Sequence, residues 1–393
     1  MLHGALGVAG LALWPRHAHA HQRQALPWPT WRVDRSPLDH ARPYLDAALR
    51  AERWLATSAM RSSDGVTWPV WPEAPLPALA TSLYSGTAGI VLAYLELHAA
   101  TGDAAYLATA RDGARRLAAW LPQGLAARDV EWGLYTGMAG VAWVIDQVAT
   151  RTDDRALRES ATRTITALAR HAQPRASGVA WNDVTDIIAG SAGIALTMLD
   201  LGLHRRDEAL VATARRAAAH LVTRGTAMGD GLRWSMTDAF PRRMPNFSHG
   251  TAGVAYALAT IGAVTEDRAL VDAARAGARH LDAIATPIGS DGSRIFHSEP
   301  GNESLFYLSW CHGPAGTARL YHRLHLIDGG AAHRATADRL ARGVVASGVP
   351  ERSPGFWMNV SQCCGNGGVV EHFVDRARVY GEGASLAYAE RVM

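Results

Sequence analysis

The sequence repeats one short glycine motif six times, and this repeat limits the folds open to the chain. Each copy reads Gly-x-(Ala/Gly)-Gly and precedes an apolar stretch of helical length. The first glycines of the six copies are Gly86, Gly137, Gly190, Gly250, Gly313 and Gly365. Successive first glycines lie 51, 53, 60, 63 and 52 residues apart, which leaves room for two helices and two connections. The chain is therefore a repeat protein built from helix pairs.

Two kinds of helical segment alternate along the chain. Each glycine motif opens a segment that is hydrophobic nearly all round, which is typical of a buried helix. An Arg/Ala-rich segment with one polar face follows, which is typical of an outer layer. These outer helices are predicted at 104–121, 155–170, 207–223, 267–285 and 331–346, after a first helix at 38–58 and before a last one at 385–392. The alternation predicts an all-α fold, either a double-layered α/α ring or a solenoid.

Two longer segments, 225–247 and 286–305, are rich in Gly, Pro, Asp and Ser and interrupt the helical pattern. They directly precede His249 and Cys311. Loops beside site residues commonly carry substrate contacts, so we expect these segments to border a site. Three tryptophans precede apolar helices and either line the same cleft or pack in the core: Trp132, Trp181 and Trp310.

Composition removes several classes of function. Hydrophobic residues make up 48% of the 393 residues and charged residues 19%, with a formal net charge of +3. So small a charge, without a basic run, argues against a nucleic-acid partner. All 39 cationic residues are arginine. The absence of lysine excludes Schiff-base chemistry and the lysine of a phosphate-binding loop.

The N-terminal region differs from the repeats. Residues 1–36 are expected to form an irregular leader and residues 37–393 one domain, because repeats of this kind share a continuous core. Residues 4–14 and the following Ala18-His19-Ala20 are similar to a signal peptide, but no Lys or Arg precedes them and the run is too short to span a bilayer. An odd number of cysteines, two of them adjacent, favours a reducing compartment. We therefore expect a cytoplasmic protein without a membrane partner.

The three cysteines occupy one place in the repeat. Cys311 and Cys363 stand two residues before the first glycine of their motifs, and Cys364 stands one residue before it. If the repeats are structurally equivalent, the three thiols converge, and converging thiols indicate zinc with an open fourth position. Two alternatives remain. The zinc is structural, with His249 or His312 as its fourth ligand, or the thiols are small buried apolar groups.

His249 is the candidate acid or base of such a site. It has the same position in its motif as His312 and Cys364, so its side chain should project toward the thiols. Asp186 precedes the third motif and either orients the imidazole or handles a proton itself, and it also suits a helix cap. Asp183 is a nearby competitor for that role.

Four phrases of the sequence resemble a known family. They run from Asp186 to Gly190, from Ser248 to Gly253, from Trp310 to Gly313 and from Cys363 to Gly365. Together they look like the motifs of the lanthionine synthetase C (LanC) family of lanthipeptide cyclases. The resemblance extends from about residue 38 to the C-terminus, and the Trp-Cys-His-Gly and Cys-Cys-Gly phrases are specific.

The resemblance implies an α/α toroid of helix pairs that holds one Zn²⁺ per chain. It implies that Cys311, Cys363 and Cys364 are the ligands, that His249 is the acid/base residue and that Asp186 assists it. The implied reaction adds a peptide cysteine thiolate to dehydroalanine or dehydrobutyrine and yields a (methyl)lanthionine thioether. The implied partner is a dehydrated precursor peptide or a small thiol, together with a separate dehydratase.

Three features depart from the family pattern. Cys363-Cys364 replaces the commoner Cys-His, as in a three-cysteine subset, which makes the zinc site more negative and a bound thiolate more nucleophilic. Tyr307 stands where the family commonly has an arginine, and it cannot supply that charge. Family toroids have one helix pair more than the six motifs found here, and the sequence ends at Met393 within a predicted outer helix. We therefore expect a toroid that lacks its last repeat.

Two other functions fit parts of the sequence. A LanC-like protein without turnover would bind zinc and a thiol or peptide, and the departures at Tyr307 and at the C-terminus favour this reading. An α/α-toroid glycosidase would use paired carboxylates and no cysteines, drawn from Asp183, Asp186 and Glu303. Metal content separates the glycosidase from the two zinc proteins.

Overall fold

The computed structural model describes residues 42–71, 79–351 and 359–393. These residues form two compact units, one that ends at His171 and one that begins at Ala172. The leader expected at 1–36 lies outside the described residues. A single domain over 37–393 remains a prediction.

The first unit contains five α-helices and one β-hairpin among its described residues. They are α1 (Arg42–Thr57), β1 (Met60–Ser62), β2 (Gly65–Thr67), α2 (Thr87–Thr101), α3 (Ala104–Leu125), α4 (Met138–Thr152) and α5 (Arg155–Arg170). After α1, each glycine motif begins an inner helix and the next helix packs on it, as α2 with α3 and α4 with α5.

The second unit continues the same helix pairs. Its described elements are β3 (Gln173–Arg175), β4 (Gly178–Ala180), α6 (Ser191–Arg205), α7 (Glu208–Thr223), β5 (Thr226–Met228), β6 (Gly231–Arg233), α8 (Thr251–Val264), α9 (Arg268–Ile284), β7 (Thr286–Ile288), β8 (Gly292–Arg294), α10 (Pro314–Asp328), α11 (Ala331–Ala346), α12 (Asn366–Tyr380) and α13 (Gly383–Val392). The predicted outer helices agree with these bounds to within four residues, and two of them, 155–170 and 331–346, coincide with α5 and α11.

The two kinds of helix differ in burial as the sequence predicts. In α6 every residue from Ser191 to Gly202 is buried, so the helix is enclosed on all sides. In α7 the buried residues recur every three to four positions and mark one face, at Leu210, Ala214, Ala217, Ala218 and Leu221. The predicted inner and outer layers are therefore present.

Four short antiparallel hairpins follow outer helices, and the sequence did not reveal them. Two lie in the segments 225–247 and 286–305 that were expected to be loops. Strands of three residues contain too little alternation to give a period of two. Each hairpin instead packs a glycine on the next outer helix: a Cβ at Gly178 would lie 2.0 Å from the carbonyl oxygen of Arg216 in α7.

The motif glycines allow each inner helix to fold against the turn that precedes it. A Cβ at Gly316 would lie 1.8 Å from the carbonyl oxygen of Trp310, and one at Gly253 would lie 2.0 Å from that of Phe247. In both cases the opposing carbonyl stands six residues earlier in the chain. These two glycines therefore permit a close approach of the backbone within a single repeat.

Two buried histidines make the folded state sensitive to acid. His372 is 2% exposed and lies 5.9 Å, ring to ring, from His322, whose Nδ1 pairs with the hydroxyl of Tyr380. Burial lowers the pKa of His322 to about 3 and the pKa of His372 well below its usual value, and the cation of Arg376 lowers both further. Both rings are therefore neutral in the folded chain at pH 7.

We expect the free energy of unfolding to fall as the pH drops below about 6.5, by up to about 1.4 kcal/mol per pH unit for each of these histidines. The unfolded chain binds their protons in that window and the folded chain does not. Urea unfolding of the metal-free protein at pH 7.5, 6.5 and 5.5 measures the slope. His372→Gln should reduce the slope, and an unchanged slope in this variant would contradict the assignment.

Candidate metal centre and catalytic site

The turns before inner helices carry the candidate site residues and are joined to one another by backbone hydrogen bonds. The N–H of Ser248 donates to the carbonyl of Cys311 at 2.8 Å, and the N–H of Cys311 donates to that of Cys363 at 2.9 Å. These three residues all stand two positions before the first glycine of their motif. Equivalent positions of successive repeats therefore lie side by side, which brings the cysteines together.

The three thiols form one compact cluster. The Sγ atom of Cys364 lies 3.4 Å from that of Cys311 and 3.5 Å from that of Cys363, and all three atoms lie within 4.8 Å of one another. Tetrahedral zinc with Zn–S bonds of about 2.3 Å places sulfurs about 3.8 Å apart. The cluster is thus nearly at ligand spacing, and its soft donor set suits zinc. No other group of three such ligands occurs in residues 42–71, 79–351 and 359–393.

The thiols strongly perturb one another. Their mutual hydrogen bonds, with Cys363 first and then Cys364, raise the pKa of Cys311, while the bonds from Cys311 and then Cys363 lower the pKa of Cys364. Three thiolates at this spacing repel one another unless a cation lies among them. Cys311 is 2% exposed, whereas Cys363 and Cys364 are half-buried, so the cluster is open on one side.

Asp186 and His249 are in direct contact, and His249 belongs to the turn that is hydrogen-bonded to the turn of Cys311, with its ring 5.6 Å from that of His312. Oδ2 of Asp186 lies 2.6 Å from Nδ1 of His249, and the imidazole is 30% exposed while the carboxylate is 1% exposed. The other oxygen, Oδ1, accepts the backbone N–H groups of Ala189 and Gly190, each at 2.9 Å. Asp186 therefore caps the turn before α6 and also meets the imidazole, the two arrangements that the sequence suggested.

Two further imidazole rings belong to this region: His312, which directly follows Cys311, and His297, which lies in the segment 286–305. His312 is 8% exposed, and its Nε2 lies 3.2 Å from Oγ of Ser248. His297 packs on His312 with ring centroids 4.4 Å apart and on Tyr307 at 4.6 Å. Burial lowers the pKa of His312 to about 3 and also lowers the pKa of His297, and the nearby histidines add to the effect, so both rings are neutral at pH 7.

His297 is the site neighbour that sequence reasoning missed. It lies outside the glycine motifs, and its only signal was membership of the segment that precedes Cys311.

The ligand group within 4.8 Å contains the three cysteines and no histidine, so the described residues favour an open site over a zinc with His249 or His312 as fourth ligand. Burial, followed by the charges of Cys311 and Cys364, raises the pKa of Tyr307.

The other residues singled out in the sequence have structural surroundings. Asp183 is 81% exposed and lies 3.6 Å from Arg175. Glu303 accepts the backbone N–H of Gly301 within its own turn, at 2.8 Å. Trp132, Trp181 and Trp310 are buried, at 8%, 7% and 2% exposure. The burial of the three tryptophans favours a role in core packing. Asp183 and Glu303 each contact a residue other than Asp186, so the carboxylate pairs that a glycosidase would need are not seen among the described residues.

Comparison with solved structures identifies the fold. Nisin cyclase matches with a TM-score of 0.62 and 17% identity, over 89% of this chain and 86% of that chain. An inactive variant of an α-1,6-mannanase of Salegentibacter sp. in complex with α-1,6-mannotetrose matches with a TM-score of 0.48 and 13% identity, over 89% of this chain and 85% of that chain, which is too low to support an inference. The nisin cyclase match confirms the predicted fold class, the α/α toroid.

Comparison of sequences identifies the family. No curated protein gives a significant match. Among the described helices none is both long and apolar enough to cross a membrane. Residues 77–391 match the profile described as lanthionine synthetase C-like protein, and this range includes every candidate site residue. The chain therefore belongs to the lanthionine synthetase C-like family.

Proposed function

We propose that this protein is a zinc-dependent cyclase that joins a cysteine thiol of a dehydrated peptide to dehydroalanine or dehydrobutyrine and forms a (methyl)lanthionine thioether. The observation that carries the proposal is an open cluster of three cysteines beside an imidazole held by a buried carboxylate. The likeness to a protein named nisin cyclase supports a peptide substrate. A separate dehydratase would supply the dehydrated residue, and reduced cysteines suit a cytoplasmic location.

Cys311, Cys363 and Cys364 would hold one Zn²⁺, which when bound would keep the substrate thiol ionised near neutral pH. The thiolate attacks the β-carbon of the dehydrated residue, and a carbon–sulfur bond forms as the double bond becomes an enolate. The enolate then needs one proton at its α-carbon. The thiol loses a proton and the carbon gains one, so the addition is redox-neutral.

His249 is the residue proposed to deliver that proton. Asp186 receives Nδ1–H and leaves Nε2 as the nitrogen that exchanges protons with the substrate. The same carboxylate stabilises the imidazolium before it gives up its proton, because the pair is in contact and Asp186 is buried. The half-exposed ring is accessible to a peptide.

The test combines zinc analysis with a peptide that contains one cysteine and one dehydroalanine. Cyclisation leaves the mass unchanged, so the product is detected as peptide that no longer reacts with a thiol-alkylating reagent. We expect one zinc per chain and loss of the free peptide thiol, with protein stripped of metal by a chelator as the control. No zinc in the folded protein would overturn the proposal.

A second function is favoured by Tyr307, which places an uncharged ring beside the thiols. In this alternative the protein binds zinc and a thiol or peptide without turnover. Zinc at one per chain with measurable peptide binding, but with the peptide thiol still alkylated in full, would support this function over the cyclase.

A further inference from the structure

A buried ion pair connects the two inner helices that follow the cysteine turns, and the proposed reaction does not use it. Arg319 in α10 and Glu371 in α12 each stand six residues after the first glycine of their motifs. Nη2 of Arg319 lies 2.7 Å from Oε1 of Glu371, and the two side chains are 6% and 9% exposed. Asp375, one turn farther along α12, is 3.9 Å from the same guanidinium.

Glu371 extends this contact to the cysteine turn. Its second oxygen, Oε2, accepts a hydrogen bond from Nε2 of Gln362 at 2.8 Å. Gln362 directly precedes Cys363, and its backbone carbonyl accepts from Oγ of Ser309 at 3.2 Å. Ser309 also donates to the carbonyl of Gly365 at 2.6 Å, so the turn is held on both sides of the two cysteines.

A structural role alone is a weak explanation for these charges. A buried ion pair loses its hydration, and two apolar residues of similar volume commonly serve stability as well or better. An ionised carboxylate, however, gives Gln362 a hydrogen bond roughly twice as strong as a neutral acceptor would. Burial raises the pKa of Glu371 to about 7, and the cation of Arg319 keeps it from rising further, so a substantial share of the carboxylate is ionised at pH 7 and above.

We propose that Arg319 and Glu371 are positioning residues of the metal centre. Glu371 fixes the side chain of Gln362, and Gln362 fixes the turn from which Cys363 and Cys364 reach the metal. The inference rests on the zinc site of the proposed function. It also concerns the position of the turn that carries Cys363 and Cys364 when no metal is bound.

Two variants test the chain of contacts without leaving the guanidinium of Arg319 unpaired. Gln362→Met removes the amide and keeps the volume. The double variant Arg319→Met/Glu371→Met removes both charges together, because loss of Glu371 alone would leave an uncompensated guanidinium and endanger folding. The matched control is Arg376→Met/Glu382→Met, a contact of 2.9 Å at the other end of α12 whose removal leaves the Arg334–Asp338 pair intact.

Metal affinity is measured by chelator competition with zinc, and ligand geometry by the thiolate-to-metal absorption of the cobalt-substituted protein. We expect affinity to fall about 10- to 100-fold in both test variants and to remain unchanged in the control. Adding Gln362→Met to the double variant should cause no further loss, since both changes break one chain of contacts. Unchanged affinity in the test variants, or an equal fall in the control, would overturn the inference.

The metal-free protein provides a readout that needs neither zinc nor a substrate. The half-buried thiols of Cys363 and Cys364 should react faster with a thiol reagent in both test variants, because their turn is no longer held. Equal reaction rates would count against the inference even if the protein bound no metal. Failure of the cyclase assay alone would leave these two measurements unaffected, so the two proposals are separable.

Discussion

Replacing Cys364 with alanine is expected to abolish zinc binding and thioether formation together. Cys364 is the central thiol of the cluster, at 3.4 Å and 3.5 Å from the other two sulfurs. Its loss leaves two protein ligands where an open zinc site uses three. We expect zinc to fall from one per chain to none after gel filtration with a mild chelator, and cyclisation to fall to the rate without protein.

The fold should survive this change, which makes the result interpretable. Cys364 is half-buried and its side chain is small, so its truncation creates little cavity. Circular dichroism and the unfolding midpoint check the fold against the metal-free wild type. Val360→Ala is the control, because this side chain is 87% exposed near the same turn and should keep its zinc. A Cys364→Ala protein that retains one zinc would refute the three-cysteine site.

Replacing His249 with glutamine should lower the rate of cyclisation about 100- to 10,000-fold while zinc content stays at one per chain. The substitution removes the group that delivers the α-proton and leaves the thiols untouched. Single-turnover assays followed by alkylation measure the rate, and solvent deuterium incorporation at the α-carbon reports the proton transfer. A rate within a few-fold of wild type would show that another group supplies the proton.

The Asp186→Asn variant keeps His249 in place but changes the group that contacts its Nδ1, so it tests how much the orientation and protonation of the ring matter. The amide oxygen can still accept the N–H groups of Ala189 and Gly190, so the cap before α6 is kept. Its NH₂ group, however, would donate to Nδ1 and leave a neutral ring with its proton on Nε2, a weaker acid than imidazolium. We expect folded, zinc-loaded protein with much slower cyclisation. Normal activity in this variant would mean that Asp186 serves only as a cap.

Much of the candidate site could be predicted from the sequence because the glycine motif repeats. Its period marks equivalent positions, so three cysteines at one place in the motif were expected to meet, and their sulfurs do lie within 4.8 Å. The contact between Asp186 and His249 was one of several roles that the sequence left open for Asp186, because the two residues stand at different distances before their glycine motifs. Helix bounds were also predictable, because burial on one face gives outer helices a clear period.

Features that lack such a period were not predictable. His297 belongs to a connection of irregular length, and its place beside His312 depends on how that segment folds back. The contact partners of Arg319 and Glu371 could not be predicted from the sequence either. In the sequence, Arg319 and Glu371 are charged residues in inner helices, where an apolar pattern is expected. Only the three-dimensional packing shows that the two side chains contact each other.

Because hydrogen bonds join the successive turns, binding of a metal by the three cysteines would depend on the assembly of their repeats. Zinc-binding modules that draw ligands from one short segment can form before the rest of a protein folds. Here Ser248, Cys311 and Cys363 lie in register only when three repeats have docked. A partly folded chain would offer scattered thiols and no binding site. Zinc uptake during refolding should therefore lag behind helix formation and mark the step at which the second unit becomes native.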